Sequence, residues 1–402
     1  MCGRVLLGLF SVSLVIAAVL HALYVSPLLS LAGRSRVLTT TLPGKCQKHK
    51  DLQACKKIIL HEPSGLVYAA CSQPYLRTLW QPGQTLLNST GAGKDYLAVF
   101  NPDDGSSKHL PLVRFSGGLS LMGFDVVSTT EDPRQVFLYA INIRPSIFNN
   151  YAKGPDAVVE IFKSDQHGFK LSHVNTIKDP LIGLPNDIIG SPDGKSFFIT
   201  NDIKNKGIWA RFFDVVLRRD NTFVTYCDVA EGCRIVARRL VTASGIARGQ
   251  SGEIYVANTF SSAISVFEEQ ADHSLVLTDT IPINAGALDG LSVDTDGSIY
   301  AAELPKVFTW KFQHLKDPKH LVPSSALKIT LNTDESSYYG QKYKIEKVLE
   351  DAGKTASGMT SVVHDKTRGK IYLHGEHTFS QMLSYRSGSD PNRSCRAVSD
   401  SV

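Results

Sequence analysis

The sequence reads as an all-β protein, a six-bladed β-propeller behind an N-terminal hydrophobic anchor helix. Three observations lead there. After about residue 40, helical periodicity is scarce, and short runs of β-branched and aromatic residues alternate with Gly/Asp/Pro/Asn turns. One unit, a turn followed by a strand that ends on a small or polar residue, recurs six times in phase. Ahead of these units stands one long apolar run that carries no charge.

That run, Val5 to Val25, has Ser11, Ser13 and His21 as its only polar members and Arg4 just before it. About 20 apolar residues span a bilayer core. Residues 1–33 therefore read as a signal anchor that crosses a membrane once and places the rest of the chain in the secretory lumen or outside the cell. The alternative is a cleaved signal peptide and a secreted protein, with small residues at Ser30 and Ala32 spaced for cleavage. Cysteine usage suits an oxidising compartment: Cys46, Cys55, Cys71, Cys227, Cys233 and Cys395 follow the anchor. Cys46/Cys55 and Cys227/Cys233 are close enough to close short loops, and Cys71, in an apolar run, reads as a buried thiol. Connectivity does not follow from spacing. Asn88 and Asn392 open N-glycosylation tripeptides.

The repeat units begin at residues 62, 131, 191, 249, 294 and 365, about 45 to 70 apart. Six copies fit six small antiparallel sheets around a central channel, over residues 41–388. Residues 313–355 are polar and read as an insertion or outer strands before the last blade; 389–402 form a disordered polar tail. In phase, the repeated strands end on Cys71, Asn142, Asn201, Asn258, Glu303 and Glu376. Such ends meet at one mouth of a propeller channel. Asn201 and Asn258 are accordingly expected either to line a ligand site or to be hydrated channel residues.

The composition is that of an ordinary globular protein, 43% hydrophobic and 20% charged, with a net charge of +5. No Lys/Arg cluster is interleaved with aromatics, so no nucleic-acid partner is expected. No G-x-S-x-G elbow, H-E-x-x-H helix, C-x-x-C pair or P-loop occurs. His374, Glu376 and His377 form the densest cluster of metal-type side chains, but on a strand His377 would face away from the other two. In "LPNDIIGSPDGKSFFITND" (184–202), Asn186–Asp187 and Asn201–Asp202 bracket a Pro-Asp-Gly-Lys turn, an oxygen-rich stretch that suits either a metal or turns alone.

From Gly65 to about Tyr385 the chain resembles the serum paraoxonase/arylesterase family, on "SGLVYAACS", "LPNDIIGSPDGKSFFITND", "TASGIARGQSGEIYVANTFSSAISVFE" and "ALDGLSVDTDGSIYAAELP". The resemblance implies a six-bladed propeller that hydrolyses lactones and aryl esters, with two calcium ions in its tunnel. It implies Asn186 and Asp289 as ligands of a catalytic calcium and Asp187 as a ligand of a structural one. Other positions depart from the family. Ser244 and Gly290 stand where it has Asn, Lys56–Lys57 where it has a Glu-Asp pair, and Met122–Phe124 and Ile143 where it has a histidine dyad. A charged Lys has no lone pair for a metal. Lys56 and Lys57 are therefore expected to replace the calcium charge and pair with Asp187 and Asp289.

The function that follows is hydrolysis of a small hydrophobic ester or lactone, with calcium as cofactor in a degenerate site. Lys56 and Ser244 would line the site, and Glu303 or His374 would transfer protons. Two alternatives stand beside it: a propeller that only binds a small molecule or a protein, and a metal-free catalyst like strictosidine synthase with Glu303 as acid/base.

Overall fold

The computed structural model describes residues 2–34, 36–41, 46–49, 51–146, 155–166, 169–201, 208–335, 337, 340–379 and 382–386. Asp202, Asn392, Cys395 and the tail from 389 lie outside them.

Six antiparallel sheets form the blades. Their innermost strands are Lys57–His61, Leu121–Ser128, Pro185–Gly190, Ala243–Arg248, Ala287–Val293 and Ser361–Asp365, which begin blades 1 to 6. Five sheets have four strands; blade 2 adds Leu112–Val113 as a fifth, paired in parallel with Leu171–Ile177. The ring closes with strand Cys46–His49, from ahead of blade 1, which pairs with Met382–Arg386 as the outer strand of blade 6. The polar segment 313–355 supplies the two outer strands of blade 5, Ser324–Leu331 and Tyr343–Asp351.

Apolar residues from facing sheets fill the gaps between blades. Tyr139, Ile141 and Ile161 of blade 2 pack with Ile188, Phe197 and Ile199 of blade 3. Each such side chain contributes about 1.5–3 kcal/mol by leaving water. Gly190 permits this closeness, since a Cβ there would lie 2.1 Å from the Tyr139 ring. The turn after it is built by Asp193, whose Oδ1 accepts from the Lys195 and Ser196 amides (2.8 and 3.1 Å), with Gly194 at φ +71°.

The N-terminal helix contains an apolar span, Phe10–Leu31, of 22 residues with mean hydropathy 2.1, and none of its most apolar stretch is buried. Its end is docked. Leu31 and Ala32 are buried, and Gly33 turns at φ +69° with a Cβ position only 2.0 Å from the Pro305 carbonyl. Arg36 then donates to Glu303 (2.6 Å), and Thr39 N to Glu350 (3.0 Å).

The disulfides differ in part from expectation. Cys227–Cys233 forms, across adjacent strands of blade 3. Cys55 bonds to Cys71, so Cys71 is not a free thiol and Cys46/Cys55 is not a pair; Cys46 is itself disulfide-bonded.

Candidate functional site

The innermost strands aim side chains at the axis through a repeated bulge. In blades 2 to 5, two residues of the inner strand stand opposite one of its neighbour: Met122–Gly123 opposite Ile141, Asn186–Asp187 opposite Thr200, Ser244–Gly245 opposite Ala257, and Asp289–Gly290 opposite Ala302. A bulge re-aims the side chain it carries. The first residue of each, Met122, Asn186, Ser244 and Asp289, lines one cavity of about 610 Å³. The second lies where the next blade crowds in. A Cβ on Gly245 would meet the Asp289 carbonyl at 2.3 Å, and one on Gly290 the Thr360 carbonyl at 2.6 Å. Asp187 is the exception, and its Oδ2 accepts from the Ile246 amide of blade 4 (3.1 Å).

Charge gathers at the cavity floor. Lys56 Nζ donates to both Asp289 oxygens at 2.8 Å and lies 3.6 Å from Glu376. Lys57 Nζ donates to Asp187 Oδ1 at 2.5 Å, in a small void of about 10 Å³ beside the cavity. Both lysines are buried, with side chains 7% and 8% exposed. Burial opposes the Lys56 charge, but Asp289 and Glu376 outweigh it and hold the ammonium above its ordinary range. Burial pushes the Asp289 carboxyl up to about 6 against the pull of Lys56. For Glu376 burial acts upward too, yet Lys56, His377 and Arg77 bring it below its usual value. Gln81 Nε2 donates to Glu376 (2.8 Å), and His377 Nε2 bonds the Gln81 side-chain Oε1. The walls carry large apolar side chains, Phe212 and Val215 from helix Ile208–Val216, Phe308, Trp310, Leu304, and Leu28 from the N-terminal helix, together with the charged Asp214, Arg219 and Lys311.

The strand-end residues do something else. Asn142 accepts from Ser120 N (2.8 Å), Asn201 from Gly183 N (3.0 Å), Asn258 from Val241 N (3.1 Å) and Glu303 from Gly286 N (2.5 Å). The Cys71–Cys55 bond holds the same place in blade 1. Each ties the end of a second strand to the loop entering its own blade, satisfying buried backbone donors. Contrary to expectation, Asn201, Asn258 and Glu303 therefore do not face the cavity. His374 does not either. Its Nδ1 accepts from the Gly375 amide (2.7 Å), its Nε2 donates to the Leu52 carbonyl (3.0 Å), and burial lowers its pKa. Of the expected site residues, Lys56, Asn186, Ser244 and Asp289 line the cavity, and Asp187 lines the void below. Of the six second-strand ends only Glu376 lines the cavity; reading those ends missed Gln81 and Met122. The signal was present one strand earlier, in the in-phase tetrads "LMGF", "PNDI", "ASGI" and "LDGL".

The arylesterase family model matches residues 38–378. The chain belongs to this family. Serum paraoxonase/arylesterase 1 of Homo sapiens is 25% identical over 334 residues, covering 82% of this chain and 85% of that protein. Serum paraoxonase/lactonase 3 of Homo sapiens is 25% identical over 340 residues, covering 83% and 87%.

The arylesterase family is calcium-dependent, and the axial residues here do not fit that ion. Calcium takes six to eight oxygens. Both oxygens of Asp289 and one of Asp187 already face ammonium groups, and Asp187 Oδ2 is held by an amide. Among the described residues no group of three or more His, Cys, Asp or Glu is arranged to hold a metal.

Proposed function

We propose that this arylesterase-family chain hydrolyses small hydrophobic esters, lactones or aryl esters, in a cavity that joins a buried ion cluster to large apolar side chains. The observation that carries this reading is the Lys56–Asp289–Glu376 cluster in a cavity that also presents large apolar side chains. The relatives' names, paraoxonase, arylesterase and lactonase, support the substrate class.

The chemistry follows from the groups. Asp289, with its pKa near 6, takes a proton from a water as the water oxygen attacks the carbonyl carbon. The Lys56 ammonium stabilises the oxyanion that forms. Collapse breaks the acyl C–O bond, and the Asp289 carboxyl returns the proton to the departing alkoxide or aryloxide. Glu376, fixed by Gln81, holds Lys56 from the other side.

In this reading residues 1–33 are a single-pass anchor and 41–388 face the secretory lumen or the exterior. The disulfides and the apolar helix are consistent with a secretory or membrane-anchored protein. The exposed Trp209, Phe212 and Phe213 lie on the helix that walls the cavity, which suits a membrane-borne substrate.

The test is turnover of phenyl acetate and of a δ-lactone by the full chain in detergent. Asp289→Asn and Lys56→Met should each lower kcat about 10²–10³-fold. Turnover by both variants equal to that of the wild type would sink the assignment.

A further inference from the structure

We propose that Lys56 and Lys57 are built-in replacements for divalent cations at the propeller axis, and that the chain reaches its folded, ligand-binding state without any metal. Three observations support this. Each ammonium sits where a cation would be needed, within 2.8 Å of Asp289 and 2.5 Å of Asp187. Both lysines come from adjacent positions at the start of one inner strand, so a single chain segment delivers two charges to two neighbouring carboxylate sites. The local charge also nearly closes: Asp187, Asp289 and Glu376 face two ammonium groups, while the nearby Asp125 is held by the Gly190 and Val126 amides.

The two lysines divide the work. Lys56 lines the large cavity and is within reach of a bound ligand; Lys57 lines only the small void and faces Asp187. Lys57 therefore compensates buried charge, and Lys56 does so while offering an N–H to the cavity. A metal would have to expel both, because a charged Lys supplies no lone pair. Removing both ammonium groups should create what the native chain lacks, an acidic axial hollow that binds a divalent ion.

The experiment uses the full chain in detergent and reads stability and binding, so it does not depend on the hydrolase reading. Melting temperatures are measured in calcium chloride and in EDTA, with calorimetric titration of calcium alone. The wild type should melt within about 1 °C in both and show no calcium binding up to millimolar concentration. Lys56→Gln/Lys57→Gln should melt lower in EDTA and recover by several degrees in calcium. The fourfold variant that adds Asp187→Asn and Asp289→Asn removes both members of each pair and should be indifferent to calcium again. Calcium binding by the wild type, or a folded double variant blind to calcium, overturns the proposal. Should the double variant fail to fold, the wild-type titration decides: binding overturns the proposal, and no binding upholds it.

Discussion

In blades 3 and 5, adjacent antiparallel strands bring polar residues of the same kinds to the same end of the blade and use them differently. Asn186 and Asn201 sit on the first and second strands of blade 3, and Asp289 and Glu303 on those of blade 5. The first of each pair faces the axial cavity; the second folds back and bonds the loop entering its own blade. The difference comes from the bulge. An ordinary strand end presents its last side chain to the nearest unsatisfied amide, whereas the bulged inner strand turns its side chain away from the ladder and toward the axis. In blades 3 and 5 a polar residue is thus a site residue or a staple according to the strand it occupies, whereas in blade 6 Glu376, just past the second strand, reaches the cavity.

The comparison can be broken experimentally. The strongest effect is on stability in acid and comes from buried histidines, of which His377 lies beside the cavity cluster. Burial lowers His377 to about 3, and lowers His49 and His61 each to about 4. Their folded pKa values lie below the unfolded value near 6.5, so the unfolded chain binds more protons. Stability should be complete above about pH 6.5 and fall as pH drops toward 3. His377, which burial lowers furthest, should carry the largest share of that loss. His377→Gln should flatten the slope in urea melts at pH 4 to 7, and an unchanged slope would remove His377 from the account.

Next is the Glu303 staple. Arg36→Met leaves Glu303 buried with one ionic partner gone, and its Oε2 has no hydrogen-bond partner. The loss should be about 3 kcal/mol, at the lower end for breaking a buried pair because Arg36 is 20% exposed. Ester turnover per folded molecule should stay unchanged; a selective fall in kcat would move Glu303 into the site. Smaller again is Asn258→Ala, which orphans the Val241 amide and should cost about 1–3 kcal/mol with kcat intact. A lost activity at full stability there would dissolve the distinction between the two strands.

The blade count and the apolar helix were already legible in the sequence, because the turn-strand unit repeats in phase and a long charge-free run satisfies its backbone as a helix. The sequence also pointed to Lys56, Asn186, Ser244 and Asp289, which follow from the resemblance and do line the cavity. It could not separate Asn186 from Asn201, since a bulge is one extra residue that leaves the hydrophobic alternation on either side readable as a plain strand. Nor did it place Gln81 and Glu376 together, 295 positions apart, or choose Cys71 over Cys46 as the partner of Cys55. Those pairings depend on closing the ring, where strand Cys46–His49 joins blade 6 and brings the two ends of the propeller to one side of the axis. Proximity across that closure is a property of the folded ring, and only the tertiary structure decided it.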